Sequence, residues 1–451
     1  MVSRSRFAPS PTGLLHVGNA RSAVLNWAHI NNIGGEFILR IDDTDKTRSK
    51  KEFEIKIKKD LEWLGITWHK TFNQSDRKNI YDQRIQKLKD QKLIYPCFES
   101  PEELSLKKKS QLTSGKPPIY DRSSLNLSEE KIAEYIDSGK NPHWRFKLED
   151  GVIEWNDLVK GKVSFQSKNL SDPVLIREDG SLLYHLPSVI DDIEEEITDV
   201  IRGDDHITNT AFHIQIFKAL NSKIPKFGHH PFLTDKEGKG FGKRLGSLSI
   251  EKMRDDGFEN IALLNYLLSI GTSSNITNEI KISSLLNLFD ISQLSSSSPK
   301  FSIDILKLLN QDILQKYDFL DVKDKFLDLD IKDVDSVFWQ FVKNNIEFFS
   351  DTVEWRDIIV SNESHNTEDK KFLEQAAKLL PKEPFTVDSW DEWTSLIKNK
   401  TGKKGKELFM PLRKALTGKD KGPELKYLLP LLSKDKIFQK FGIITLNKEL
   451  I

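Results

Sequence analysis

The stretch from Ser3 to Ile41 constrains the fold more tightly than any other part of the chain. It opens with the strand-like alternation "SRSRFA" and turns at once through "PSPTG", where Pro and Gly punctuate the chain. The following "HVGNARSAVLNWAHINN" sets Ala20, Ala23, Val24, Trp27 and Ile30 at helical spacing, and Gly34 and Gly35 end it. The apolar run "EFILRI" comes directly after. Strand, turn, helix and strand in this order form a βαβ unit, whose two strands lie parallel and are joined by a right-handed crossover.

A second helix is expected in "DDTDKTRSKKEFEIKIKKDLEWLG", with Ser49 and Glu52 as a capping box and Phe53, Ile57, Leu61 and Leu64 on one face. From about Pro96 to Leu182 short strands such as "HWRFKL" and "KVSFQ" alternate with polar loops, which reads as an insertion. The doubly wound pattern resumes with a helical "YHLPSVIDDIEEE", a strand in "ITDVIRGDDH" and a helix around "NTAFHIQIFKAL". Beyond residue 250 the pattern is helical: "ENIALLNYLLSIG" ends at Gly271, "SSSSPK" reads as a linker, and long amphipathic stretches such as "DSVFWQFVKNNIEFF" and "LFMPLRKAL" follow. The helical spacing of Trp339, Phe348, Phe349 and Trp355 reads as core.

With 451 residues the chain exceeds one compact core, so several domains are expected. No apolar run approaches a membrane span and "MVSRSRFAPSPTG" lacks the apolar core of a signal peptide, so a cytoplasmic protein is expected. The single cysteine, Cys97, excludes an internal disulfide framework and reads as a buried structural thiol. A formal net charge of zero argues against a nucleic-acid binder, yet Lys and Arg cluster at 46–59, 107–109 and 398–406. Each such run, like the acidic "DDIEEE" from Asp191 to Glu196, reads first as a solvated face.

In doubly wound sheets, phosphates bind where loops leave the carboxyl ends of strands, near a helix N-terminus. "PSPTGLLHVGN" occupies that position, with Gly13 and Gly18 permitting close backbone approach and His16 placed to donate to a phosphate oxygen. A dinucleotide fingerprint is excluded, because G-L-L-H-V-G does not match G-x-G-x-x-G. From H-x-G alone a plain turn capped by histidine stays equally open. "RFAPSPTGLLHVGNARSA" resembles the HIGH signature region of class I aminoacyl-tRNA synthetases, specifically the glutamyl-tRNA synthetases. "LRIDDTDKTRS", "LLYHLPSVIDD", "DVIRGDDHITNT" and "GKKGKELFMPLR" resemble further segments of that family in the same order.

The resemblance implies a Rossmann-like doubly wound parallel sheet: a catalytic domain at 1–95 and 183–232, an inserted α+β acceptor-stem-binding domain at 96–182, a stem-contact region at 233–300, and all-α anticodon-binding domains at 301–451. It implies that Arg6, Tyr184 and Arg202 engage the side-chain carboxylate of substrate glutamate, a task that suits the bidentate fork of arginine. Ser10 would help hold the amino acid and Asp42, where the family often has Glu, would face its ammonium group. Asp42 to Asp45 equally fits a turn leading into a helix. The implied reaction is activation of L-glutamate by ATP with magnesium, through attack of an ionised carboxylate on the α-phosphate, then transfer to tRNA(Glu), with tRNA(Gln) open as an additional or alternative substrate. Positioning and charge stabilisation dominate both steps. His16, Gly18 and Lys243 are the expected ATP contacts, with His16 and Lys243 the expected catalytic groups.

Lys243 lies in "EGKGFGKRLGS", which is not a Walker loop, since Arg244 stands where Ser or Thr is required. Aligned on the family, "GFGKR" takes the place of the KMSKS signature, with Gly240 in place of its first lysine and Gly242 of its serine. This departure supports a competing reading, a tRNA-binding paralogue without activation. Some bacterial family members hold zinc through cysteines in the inserted domain, but here "YPCFES" has Glu99 where a second cysteine would fall and "PPIYDRSS" supplies none. No zinc is expected, and a monomer is.

Overall fold

The computed structural model describes residues 2–240, 248–365 and 369–443. The strands are β1 (Arg4–Phe7), β2 (Glu36–Ile41), β3 (Lys70–Asn73), β4 (Ile94–Cys97), β5 (His143–Phe146), β6 (Val152–Asp157), β7 (Gly161–Gln166), β8 (Val174–Ile176), β9 (Asp199–Gly203) and β10 (Lys226–His230). Five of them make a sheet of order β10-β9-β1-β2-β3 in which all neighbours are parallel. Helices α1 (Val17–Asn32), α2 (Lys51–Trp63), α3 (Lys78–Asp90), α4 (Pro101–Thr113), α5 (Glu129–Asp137), α6 (His185–Glu194) and α7 (Ile207–Ala219) accompany the strands up to β10. The doubly wound α/β reading therefore holds. Strands β2 and β9 are buried almost throughout, as parallel strands covered on both faces are.

The capping box expected at Ser49 and Glu52 is not formed. Helix α2 begins at Lys51 with Lys50 as a cap that makes no side-chain bond, and the Ser49 hydroxyl is buried without a hydrogen-bond partner. Instead, the amide of Lys50 donates to the Pro11 carbonyl at 2.9 Å, so the chain enters α2 by leaning on the turn after β1.

Between the two halves of the parallel sheet, β4, β5 and β8 form an antiparallel sheet of order β4-β5-β8, and β6 and β7 form a hairpin. Its turn rests on the open edge of the parallel sheet, where the amide of Leu158 donates to the Phe227 carbonyl of β10 at 2.8 Å. Phe146, Leu148 and Leu175 of this segment share one buried cluster with Leu88, Val189 and Phe217.

The chain divides into two compact units, Met1–Asp256 with Leu263–Ser302 and Gly257–Ala262 with Ile303–Ile451. From Ile303 on, the described residues form helices and turns with no strand. The core of this second unit holds the fully buried Trp339 and Trp393, whose indole N–H groups donate to the carbonyls of Tyr317 at 2.7 Å and Ala376 at 2.8 Å. The expected single stretch "DSVFWQFVKNNIEFF" is interrupted after Val342. The Asp351 carboxylate accepts from the amides of Glu347 and Phe348 and starts a new turn there. Trp339, Phe349 and Trp355 are core as expected, whereas Phe348 is half-buried. No helix among the described residues is long and apolar enough to cross a membrane.

Candidate active site

Strand β1 has β2 on one side and β9 on the other, so the connections diverge and leave a crevice at the carboxyl ends of these strands. The sequence places Arg6 on β1, Arg202 on β9 and Arg40 on β2, with Asp42 just beyond it and Tyr184 capping α6. Three guanidinium groups are therefore buried side by side, a costly arrangement unless each is compensated.

The compensation is unequal. Arg6 donates through Nε and Nη2 to the two carboxylate oxygens of Asp192 at 2.9 and 3.2 Å. Arg40 grips Asp42 in the same way at 2.7 and 3.1 Å, and its Nη1 reaches Asp192 Oδ1 at 3.0 Å. Behind them Asp191 accepts from Gln74 Nε2 at 2.7 Å and from the Tyr81 hydroxyl at 3.0 Å. Burial pushes the Asp191 carboxyl up to about 6, against the pull of Arg40, and burial likewise raises Asp42. The acidic run is thus no solvated face: Asp191, Asp192 and Glu195 are buried, and only Glu194 and Glu196 behave as expected.

Arg202 differs. Its Nη1 donates to the Tyr184 hydroxyl at 2.8 Å and its Nη2 to Thr210 Oγ1 at 2.6 Å, while Nη1 and Nε lie 3.5 Å from ring nitrogens of His213 and His229. Among the described residues it forms no ion pair. Burial lowers its pKa and that of the surrounding histidines, with His185 and His206 at about 4 and His213 well below its ordinary value, the Arg202 charge adding to the effect on the histidines. The imidazoles are accordingly neutral, and Arg202 is a buried cation whose partners are all uncharged. Tyr184, 37% exposed, stands at its open side. The arrangement suits an incoming anion.

The phosphate end is built on α1. His16 is its N-cap, with Nδ1 accepting from the amides of Gly18 at 3.2 Å and Asn19 at 3.4 Å. That acceptance leaves the proton on Nε2, which becomes the donor at a helix N-terminus. A Cβ at Gly18 would come to 3.1 Å from the ring, a tight contact that glycine avoids where the ring folds back on the helix. His16 pairs with Ser249 in an antiparallel bridge, and the amide of Ile250 donates to the Leu15 carbonyl at 2.8 Å. Lys243 and Gly242 lie outside the described residues; Gly240 is exposed. The Pro9 carbonyl accepts from the Asp42 amide at 3.0 Å, which ties the loop bearing Ser10 to the end of β2; Ser10 itself is exposed.

Sequence reasoning missed Arg40, Asp191 and Asp192, the counter-charges of this site, and the Thr210 and His229 side chains behind Arg202. The one group of side chains among the described residues that could converge on a metal is Cys97, Glu99 and His143, with ligand atoms within 4.8 Å of one another. Glu99 already accepts from the Tyr120 hydroxyl at 2.7 Å and from the hydroxyls of Ser123 and Ser124 at 2.8 and 2.9 Å. Burial raises the pKa of the Cys97 thiol. Both side chains thus already have internal roles, Glu99 as acceptor of three hydroxyls and Cys97 as a buried thiol.

The family described as "tRNA synthetases class I (E and Q), catalytic domain" matches residues 2–308, and the "Anticodon binding domain" matches residues 321–441. The chain is 44% identical to Glutamate-tRNA ligase 2 of Hyphomonas neptunium over 97% of its own length and 99% of that protein's. It is 45% identical to Glutamate-tRNA ligase 1 of Rickettsia massiliae, over 97% of this chain and 98% of that one. Its fold is similar to the crystal structure of a glutamate tRNA ligase from Elizabethkingia meningosepticum in complex with its amino acid, with a TM-score of 0.85 and 26% identity over 99% of this chain and all of the other.

Proposed function

The chain belongs to the class I tRNA synthetase family of the glutamate and glutamine enzymes, and on that premise we propose that it activates L-glutamate with ATP and esterifies the 3′ end of tRNA(Glu). The observation that carries this reading is Arg202, a buried guanidinium surrounded by neutral partners. A γ-carboxylate entering beside Tyr184 supplies the missing counter-charge. The amide of glutamine would leave the cation uncompensated, and an unpaired buried group is what makes a polar pocket selective. Arg6 presents its remaining Nη1 edge while Asp192 holds it in place. Asp42, steadied by Arg40, and Ser10 receive the ammonium end of the amino acid.

With the amino acid so held, its α-carboxylate oxygen attacks the α-phosphorus of ATP, which is bound as its magnesium complex; a carboxylate–phosphorus bond forms and the bond to pyrophosphate breaks. No proton need be removed from an ionised carboxylate, so the chain's task is placement and charge. His16 Nε2–H and the amide of Gly18 meet the phosphates at the start of α1, and Lys243 supplies a positive charge to the departing pyrophosphate. The 2′- or 3′-hydroxyl of the terminal adenosine then displaces AMP. Residues 96–182, with Lys107 to Lys109, are assigned to the acceptor end, 233–300 to the stem and 301–451 to the anticodon. The active form is taken to be a cytoplasmic monomer without zinc.

A paralogue lacking activation is not favoured for a chain 44% and 45% identical to two glutamate-tRNA ligases over 97% of its length. Glutamate-dependent exchange of pyrophosphate into ATP, with and without tRNA, tests the enzyme reading: absence of exchange in both from folded protein refutes it. Charging of separate tRNA(Glu) and tRNA(Gln) transcripts with labelled glutamate then assigns the acceptor, and acceptance of tRNA(Gln) would mark the chain as a supplier of an indirect glutamine route.

A further inference from the structure

Arg202 of β9 lies in register beside His229 of β10, and behind that pair a chain of buried hydrogen bonds runs out of the parallel sheet altogether. His229 Nδ1 lies 2.5 Å from Asp157 Oδ2, both side chains being fully buried. Asp157 ends β6, a strand of the hairpin rather than of the parallel sheet. On its other nitrogen, His229 Nε2 lies 2.8 Å from Thr210 Oγ1 and 3.5 Å from Arg202 Nε. Thr210 Oγ1 in turn accepts from Arg202 Nη2 at 2.6 Å.

Donor and acceptor roles fix one tautomer. The Asp157 carboxylate can only accept, so His229 carries its proton on Nδ1 and presents a bare Nε2 lone pair. That lone pair stands 2.8 Å from the Thr210 hydroxyl, whose hydrogen it shares with the His206 carbonyl at 3.2 Å, and faces the Arg202 Nε–H. We propose that Asp157 and His229 are positioning residues for glutamate recognition, holding Arg202 through Thr210 in the orientation that meets the substrate carboxylate. The proposal rests on the reading of the Arg202 pocket as the glutamate site.

Asp157→Asn inverts this array. Asp157 Oδ1 accepts the amides of His229, Val159 and Lys160, each at 3.0 Å, against the one Trp155 Nε1–H that Oδ2 accepts at 3.2 Å, so the asparagine carbonyl keeps the Oδ1 side and its NH2 faces His229 Nδ1. His229 must then accept on Nδ1 and carry its proton on Nε2, where it opposes the Arg202 Nε–H.

The test measures tRNA-supported pyrophosphate exchange by the full-length protein, with KM for glutamate and for ATP determined separately, and the His229 tautomer followed by the nitrogen shifts of histidine-labelled protein. Asp157→Asn is expected to move the proton to Nε2 and to raise KM for glutamate by roughly tenfold or more, as for loss of one well-placed hydrogen bond to a charged group, with KM for ATP unchanged. Thr210→Val is expected to do the same to the glutamate constant and Thr210→Ser to restore it, which decides the matter should Asp157→Asn fail to fold. Parent-like KM for glutamate in Thr210→Val, or in Asp157→Asn with the tautomer inverted, overturns the proposal. Absence of glutamate-dependent exchange in the parent instead overturns the function on which it rests.

Discussion

Arg6 and Asp192 hold each other through two parallel hydrogen bonds of 2.9 and 3.2 Å, with both side chains almost wholly buried. Asp192 also accepts from Arg40, so one carboxylate keeps two guanidinium groups of the crevice compensated before any substrate arrives. Asp192→Ala leaves Arg6 without its carboxylate partner and Arg40 with Asp42 and, at 3.8 Å, Asp191. A loss of about 3 to 5 kcal/mol in unfolding free energy is expected, the range for breaking a buried pair from one side. Urea denaturation of the variant and its parent measures it, and a loss below about 1 kcal/mol, the range of an exposed pair, would contradict the account.

Arg202, by contrast, has no carboxylate partner among the described residues and is the cation proposed to meet the substrate. Arg202→Lys keeps the charge but removes the fork that reaches the Tyr184 hydroxyl and Thr210 together. KM for glutamate should rise on the order of a hundredfold, because lysine does not replace a bidentate arginine. The preference for glutamate over glutamine should shrink along with it. Exchange kinetics with each amino acid give both numbers; an unchanged preference would mean that Arg6, despite its partner, carries the selection.

How far this site was legible in the sequence depends on the range of each signal. The βαβ start was readable because its information is local: alternation in "SRSRFA", helical spacing from Ala20 to Ile30, glycines at the end. Arg6, Tyr184 and Arg202 could be picked out only by resemblance, since an arginine on a strand has no local mark of its partner. Asp191 and Asp192 were misread as a solvated face, because the arginines that bury them stand on β1 and β2, more than a hundred residues earlier. The capping box at Ser49 failed for a similar reason, as contact of Lys50 with the Pro11 carbonyl sets the start of α2. Asp157 and His229 meet across 72 residues, and no periodicity announces such a pair.

Acid should destabilise the fold. Burial, with added repulsion from Arg202, lowers His185 and His206 to about 4 and His213 well below its ordinary value; burial beside Arg21 lowers His230 to about 3. In the unfolded chain these groups titrate near 6.5, so from there down to about 4 the unfolded state binds the extra protons and stability falls as pH drops. Asp191 and Asp60, raised by burial to about 6, work the other way over part of that window. Four histidines outweigh two carboxyls, and the urea midpoint should be lower at about pH 5 than at about pH 7.5. An equal or higher midpoint in acid would show that the imidazoles are not held neutral.

Chelation should change little. Burial pushes the Glu99 carboxyl up, but hydrogen bonds from Tyr120 and Ser123 outweigh it and hold the pKa at about 2, so Glu99 is an anion already held by neighbouring hydroxyls. Elemental analysis of the purified protein should find no stoichiometric zinc, and a strong chelator should leave the melting temperature where it was. Stoichiometric zinc whose removal lowers that temperature would mean that Cys97, Glu99 and His143 release their present partners to bind it.

The loop around Lys243 is where the chain departs from its family, and the departure defines a graded test. With Gly240 at the position of the first lysine of the signature it resembles and Gly242 at that of the serine, the loop has one charge and one hydroxyl fewer, and Lys243 is the cation proposed for the leaving pyrophosphate. Lys243→Ala should lower the rate of adenylate formation by on the order of a hundredfold or more, the loss seen when one charge-stabilising donor is removed, without changing the unfolding midpoint. Gly240 offers a second arm. A Cβ built there meets no atom within 4 Å, so Gly240→Lys is accommodated and returns the missing charge. If electrostatic stabilisation limits activation, Gly240→Lys should raise the exchange rate of the parent. Activation at the parent rate by Lys243→Ala would remove Lys243 from the reaction and transfer the burden of the phosphates to His16 and the start of α1.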